Sequence, residues 1–166
     1  MAELQQLEGS HAPAVLDFEV ANRAYFAASI SDRGDDYFRR FDAEHQALLD
    51  EQEAGVGAYY VLVDSNGTVL GRFNLYRIDG GTAELGYRMA EDAAGRGLAT
   101  AAVLELSRIA ANQLGLRRLR AATSVGNVAS QRVLAKAGFT AAGPADPAEI
   151  GGKQGTWYER DLSGTD

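Results

Sequence analysis

The sequence predicts a layered fold of the α/β or α+β kind, a mixed sheet with helices packed against it. Short runs rich in β-branched and aromatic residues, such as AYYVLV at 58–63, alternate with stretches of helical periodicity. Asn66-Gly67 and Gly80-Gly81 punctuate a three-strand meander. The later half alternates helix and strand, the pattern of helices laid on a sheet.

Residues 4–7 read as a short strand, and residues 13–28 as a helix with Val15, Phe18, Ala21, Tyr25 and Phe26 near one face. SISDRGDD is a loop, and residues 36–53 read as a second helix. Strands follow at 58–63, 68–77 and 82–90, with positive φ expected at both Asn66 and Gly67. The clearest helix spans about 97–114. Leu98, Ala102, Leu106, Ile109 and Leu114 form its stripe, and Gly115 is its expected cap. A strand at 117–123, a helix at 128–137 stopped by Gly138, a strand at 139–142 and a last strand in GTWYERDL complete the pattern.

A length of 166 residues suits one domain over 1–166. Hydrophobic content of 46% with 23% charged residues indicates a globular chain. No apolar run approaches the ~18 residues that cross a bilayer, and the first residues lack a secretory pattern. There is no cysteine, so disulfides and thiol nucleophiles are excluded and a cytoplasmic location is expected. A net charge of −7 argues against nucleic acid as a partner and suits a cationic one. His11 and His45 without clustered acids make a poor metal site.

The junction Ala94-Gly95-Arg96-Gly97-Leu98-Ala99-Thr100 takes a strand through two glycines into a helix. Such a turn lets amides at a helix N-terminus approach an anion. Glycine makes up 19 of the 166 residues, so about two Gly-x-Gly triples are expected by chance, and two occur. A dinucleotide fingerprint is broken by Thr100 and by the missing acid in the next strand, and a P-loop lacks its lysine. A tight turn for helix–sheet packing stays open beside the anion reading.

The stretch AELGYRMAEDAAGRGLATAAVLEL, followed by LRRLRAATSVGNVASQRVLAKAGF, resembles the GCN5-related N-acetyltransferase (GNAT) superfamily. Within it, the sequence is most similar to the ribosomal-protein-alanine N-acetyltransferase-like group. The resemblance covers residues 57–143 and implies a mainly antiparallel sheet of about seven strands flanked by about four helices. The family's pyrophosphate motif, Gln/Arg-x-x-Gly-x-Gly/Ala, matches Ala94 to Ala99 and departs at Ala94. A second element matches at Asn127-x-x-Ser130 and Lys136-x-Gly138-Phe139.

The resemblance implies acetyl transfer from acetyl-CoA to a primary amine, a protein N-terminus or a small amine, by direct attack in a ternary complex. It assigns Gly95, Arg96, Gly97, Leu98, Ala99 and Thr100 to the pyrophosphate. The backbone of Tyr87, Arg88 and Met89 would hold the pantetheine arm. Glu84, the only acid within residues 80–90, would serve the amine as base. Its bland alternative is a strand residue paired with an arginine. The resemblance implies that a serine at the Ser130 position, or a tyrosine elsewhere, serves the leaving thiol; no tyrosine falls between Tyr87 and Tyr158, so Ser130 is the candidate to polarise it. Asn127 either touches the cofactor arm, caps the helix at 128–137, or does both. Tyr25, Phe26, Arg33, Asp35 and Asp36 fall where the family's lid lies. Tyr25 and Phe26 are expected in the core. Trp157 and Tyr158 could wall the acceptor site or pack strands. A non-catalytic acyl-CoA sensor and a nucleotide-binding domain of another fold are the alternatives, and the chain is expected to be a monomer or a homodimer without a metal.

Overall fold

The computed structural model describes residues 2–150 and 154–163. Strand β1 (Glu3–Gln6) is followed by helices α1 (Ala12–Ala21), α2 (Arg23–Ala27), α3 (Asp35–Arg39) and α4 (Phe41–Ala54). The meander β2 (Ala58–Val63), β3 (Val69–Asp79) and β4 (Thr82–Met89) leads into α5 (Leu98–Asn112). Strand β5 (Arg118–Ser124), helix α6 (Val128–Lys136), β6 (Thr140–Ala145) and β7 (Gly155–Asp161) follow. The seven strands form one sheet in the order β1-β2-β3-β4-β5-β7-β6. The β4–β5 pair is parallel, and the other five neighbouring pairs are antiparallel.

Apolar residues cover both faces of the sheet. Phe73, Leu75, Leu85 and Leu119 pack with Val103 and Leu106 of α5 and Leu134 of α6. Tyr59 and Val61 pack on the other face with Val15, Phe18 and Phe41. Strand β2 is buried along its whole length, which explains its unbroken apolar run.

Six α-helices occur among the described residues where about four were expected. The expected helix at 13–28 breaks at Asn22, which turns to φ −107° and ψ 9°. The Asn22 side chain is engaged there, its Nδ2 donating to the Phe18 carbonyl and its Oδ1 accepting from Glu91 N–H. The break turns the expected apolar face: Phe26 is buried, while Ala21 and Tyr25 are exposed. The second expected helix divides at Arg40, φ −108°, which seats Phe41 in the core. Leu114 lies beyond α5 and is exposed rather than part of its stripe.

The hairpin between β2 and β3 also differs from expectation. Gly67 has φ +81°, but Asn66 does not take positive φ. Asp64 explains this. Its carboxylate accepts from the N–H groups of Asn66 and Thr68 at 2.9 Å each, closing the loop as an Asx-type turn with one left-handed residue.

The parallel pair sets the position of the site. Strands β4 and β5 are joined at Thr82↔Arg118, Ala83↔Leu119 and Glu84↔Arg120 only. Beyond Glu84, β4 continues beside β3 as far as Met89, and β5 continues beside β7 as far as Ser124. Their facing edges separate into a wedge.

Candidate active site

The mouth of the wedge is a cavity of about 370 Å³. Tyr87, Arg88 and Met89 of β4 line one wall. Gly95, Gly97, Leu98, Ala99 and Thr100 form the turn into α5, and Asn127 and Ser130 come from α6. Ten of the twelve residues expected to hold the cofactor or carry the chemistry therefore meet here. Arg96 is exposed and lies outside this lining. Glu84 lies deeper in the wedge.

Gly95 and Gly97 have φ of +76° and +75°, a conformation that other residues rarely adopt. A Cβ on either would meet nothing within 4 Å, so the backbone turn and not close packing requires glycine. Gly97 begins a 15-residue helix with no side-chain cap. Its first amides lack intrahelical partners and face a cavity that also receives Arg132 and Lys136. Among the described residues, no carboxylate lines that cavity. Arg132 was not singled out from the sequence. Its signal was the helical spacing of Ala129, Arg132, Val133 and Lys136, all on the cavity side of α6.

A second cavity of about 340 Å³ continues inward. It shares Tyr87, Arg88, Asn127 and Ser130 with the first and adds Leu85, Gly86 and Thr123. Asn127 caps α6, its Oδ1 accepting from Ser130 N–H at 3.2 Å. Tyr87 brings its side chain as well as its backbone. Its ring stacks on Phe73 at 5.4 Å between centroids, and its hydroxyl shares a hydrogen bond with Ser130. Burial pushes the Tyr87 phenol up from its ordinary value. The Thr123 hydroxyl is buried and has no partner among the described residues. Thr123 follows Leu119 and Ala121 on the inward side of β5, a polar residue in an apolar alternation, which was its unused signal.

Glu84 lines a third cavity of about 570 Å³, with Glu51, Tyr76, Arg77 and Trp157. Leu85, Gly86 and Ala122 are common to the second and third cavities. The Glu84 carboxylate accepts from exposed Arg77 at 2.8 Å. Trp157 thus lines a cavity wall and holds Arg120 over its ring at 4.1 Å, while Tyr158 packs on the core.

The acids of the lid region are occupied. Arg23 reaches Asp32 and Asp35 at 2.8 Å each, and Asp36 pairs with Arg39. Arg33 instead donates to Glu19, a residue the sequence did not single out. Glu19 is 1% exposed and also accepts from Arg72 and Arg88. Burial alone would raise its carboxyl, but Arg33 and Arg72 outweigh that effect and hold it below the ordinary carboxylate value. Burial and the neighbouring Arg33 push Arg88 below the ordinary arginine value.

Residues 3–140 match the acetyltransferase (GNAT) domain family. A relative, the probable N-acetyltransferase YjcK of Bacillus subtilis (strain 168), is 31% identical over 144 residues, covering 82% of this chain and 78% of that one. The chain belongs to the GNAT acetyltransferase family. It is accordingly an N-acetyltransferase, an enzyme of acyl transfer. The GNAT fold is shared with the ribosomal-protein-S5-alanine acetyltransferase of Vibrio fischeri, with a TM-score of 0.91, 21% identity, and coverage of 99% of this chain and 95% of that one. Mycobacterium smegmatis RimJ, solved in complex with CoA-disulfide, gives a TM-score of 0.87 at 20% identity, covering 99% and 83%. No helix among the described residues of this GNAT chain is long and apolar enough to cross a membrane.

Proposed function

We propose that this enzyme takes acetyl-CoA as donor and transfers the acetyl group to a primary amine by direct attack in a ternary complex. The observation that carries this reading is the wedge, whose successive cavities run from the uncapped α5 N-terminus to Glu84 with residues in common. The residues fit a coenzyme A donor. Gly95 to Thr100, Arg132 and Lys136 supply amides and cations for phosphates. The open edge of β4 beyond Glu84 suits an extended amide-bearing arm that adds as a further strand. The unpartnered Thr123 hydroxyl offers such an arm a hydrogen bond.

The thioester supplies an acyl carbon open to attack and a thiol leaving group. An amine must shed a proton before it attacks, and Glu84 takes it directly or through water. Ser130, tied to Tyr87, gives the departing sulfur a hydrogen bond. Main-chain N–H groups of β4 polarise the carbonyl. The acceptor is a protein N-terminus or a small amine.

Thermal unfolding with acetyl-CoA, ATP and NAD tests the donor. At 100 times its dissociation constant a ligand stabilises by about 2.7 kcal/mol, a midpoint rise of roughly 5–10 °C for a chain of this size. A rise with acetyl-CoA alone is expected. No rise at millimolar acetyl-CoA would leave the glycine junction as a backbone turn without a ligand.

A further inference from the structure

Arg72 and Arg88 stand directly opposite each other on β3 and β4. Like charges in that position repel. Glu19 from α1 separates them, accepting from Arg72 at 2.8 Å and Arg88 at 3.2 Å. One carboxylate would balance one arginine, yet Arg33 also reaches Glu19, at 2.9 Å. Three cations share one anion, in a chain whose net charge is −7.

The three arginines are not equally enclosed. Arg72 is 4% exposed, and its guanidinium is spent on Glu19 and the Tyr37 hydroxyl. Arg33 and Arg88 keep 26% and 18% of their side-chain surface. Arg88 lines the first and second cavities, and among the described residues no carboxylate lines either one. Arg33 belongs to the loop whose Ser29, Ile30 and Ser31 line the second cavity. Rings beneath both guanidiniums, Tyr37 under Arg33 at 4.6 Å and Phe26 under Arg88 at 4.9 Å, fix their positions. A half-buried excess of positive charge beside a cavity calls for an anion. Fastening the loop to the sheet would need only one of these arginines.

We propose that Arg33 and Arg88 form a carboxylate-binding subsite on the lid side of the wedge, engaging a carboxylate carried by one of the two reaction partners. The proposal rests on the acetyltransferase reading. The carboxylate is unchanged in the reaction: an N–C bond forms, the C–S bond breaks, and the proton lost by the amine balances the one gained by the thiol. The carboxylate belongs either to the amine, as in an amino acid or acidic peptide, or to the acyl chain, as in a dicarboxylic acyl thioester. In both cases the planar forks suit a bidentate contact.

Calorimetric titration of the full chain with succinate and with its neutral isostere succinamide tests the subsite. Succinate is expected to bind at least ~10-fold more tightly than succinamide, the scale of one charge-assisted contact. Arg33→Gln is expected to abolish the preference and Arg33→Lys to retain part of it. Absence of succinate binding, equal binding of the two probes, or a preference that survives Arg33→Gln would overturn the proposal. Coenzyme A titrated into the same proteins reports separately on the cleft, so loss of the donor reading is distinguishable from loss of the subsite. Turnover then locates the carboxylate. A higher kcat/KM for an amino acid than for its amide with acetyl-CoA places it on the acceptor. A higher kcat/KM for succinyl-CoA than for acetyl-CoA with the amide places it on the donor. No preference in either arm overturns the proposal.

Discussion

Glu84 shows how a single side chain can be found in the sequence while its surroundings stay hidden. It was legible as the only acid in its strand. Pairing with an arginine was legible as its alternative reading, but which arginine was not, because Arg77 reaches it from an irregular stretch where the β3–β4 register shifts and Arg77 itself takes φ +50°. Arg77 is 74% exposed, so water competes for the contact and leaves the pair weak. Glu84→Gln is expected to lower kcat by ~10²–10⁴-fold, the range for loss of a positioned base. The dissociation constant for acetyl-CoA should change by less than about twofold, since the side chain lies beyond the cavity that receives the glycine turn. Steady-state rates from pH 6 to 10 check this, and an unchanged rate throughout removes Glu84 from the chemistry. Glu19 was illegible for the opposite reason. On a helix it reads as one more solvent-facing acid, and only the facing arginines of β3 and β4 explain its burial.

Helix α6 carries two duties on one residue. The Asn127 Oδ1 fills the cap bond to Ser130 N–H, which leaves its amide nitrogen for a ligand in the wedge. Asn127→Ala is expected to lose about 1 kcal/mol of stability, a fall of about 2–4 °C in the unfolding midpoint. Asn127→Asp keeps the cap acceptor, so its midpoint should match the parent. Both variants should bind coenzyme A more weakly by calorimetry, because both lack the amide donor. If Asn127→Asp binds as tightly as the parent, capping is the whole role. Elements were most legible where one signal dominated, an unbroken apolar run in β2 and helical periodicity in α5. Legibility failed where a polar side chain had a distant partner. Asn22 ends α1 because Glu91, far along the chain, uses its carbonyl oxygen. Legibility failed also where two local signals competed: Asp64, bonded to Asn66 and Thr68 N–H, takes over the hairpin that Asn66-Gly67 advertised.

At the scale of the molecule, Glu19 couples the lid loop, α1, β3 and β4, and its ionisation links their packing to pH. The folded-state carboxyl titrates below its ordinary value of 4.5. The unfolded chain therefore takes up this proton first. The stabilisation is fully present above pH 4.5 and is lost as pH falls through the lower, folded value. The urea midpoint of the parent is expected to fall steeply below that pH. Glu19→Gln should be less stable by ~3–5 kcal/mol at neutral pH, the cost of leaving buried cations unpaired. Its midpoint should decline less steeply on acidification, and parallel curves for the two proteins would refute the linkage. The strand count was legible from the sequence, and so was a sheet with helices packed on it. The insertion of β7 between β5 and β6 was not, because hairpin signals speak only for strands adjacent in the chain.

The parallel seam has one more consequence. Among the described residues, three residue pairs are the only strand-to-strand joint between the half of the sheet built from β1 to β4 and the half built from β5, β7 and β6. A molecule lying along the open edges bridges both halves, so it acts as a splint as well as a passenger. Reciprocity then governs the pair: a ligand that tightens the joint must itself be held longer by a tighter joint. Substitutions at Thr82, Ala83 or Arg118, remote from the glycine turn, are thereby expected to change how long a bound molecule stays.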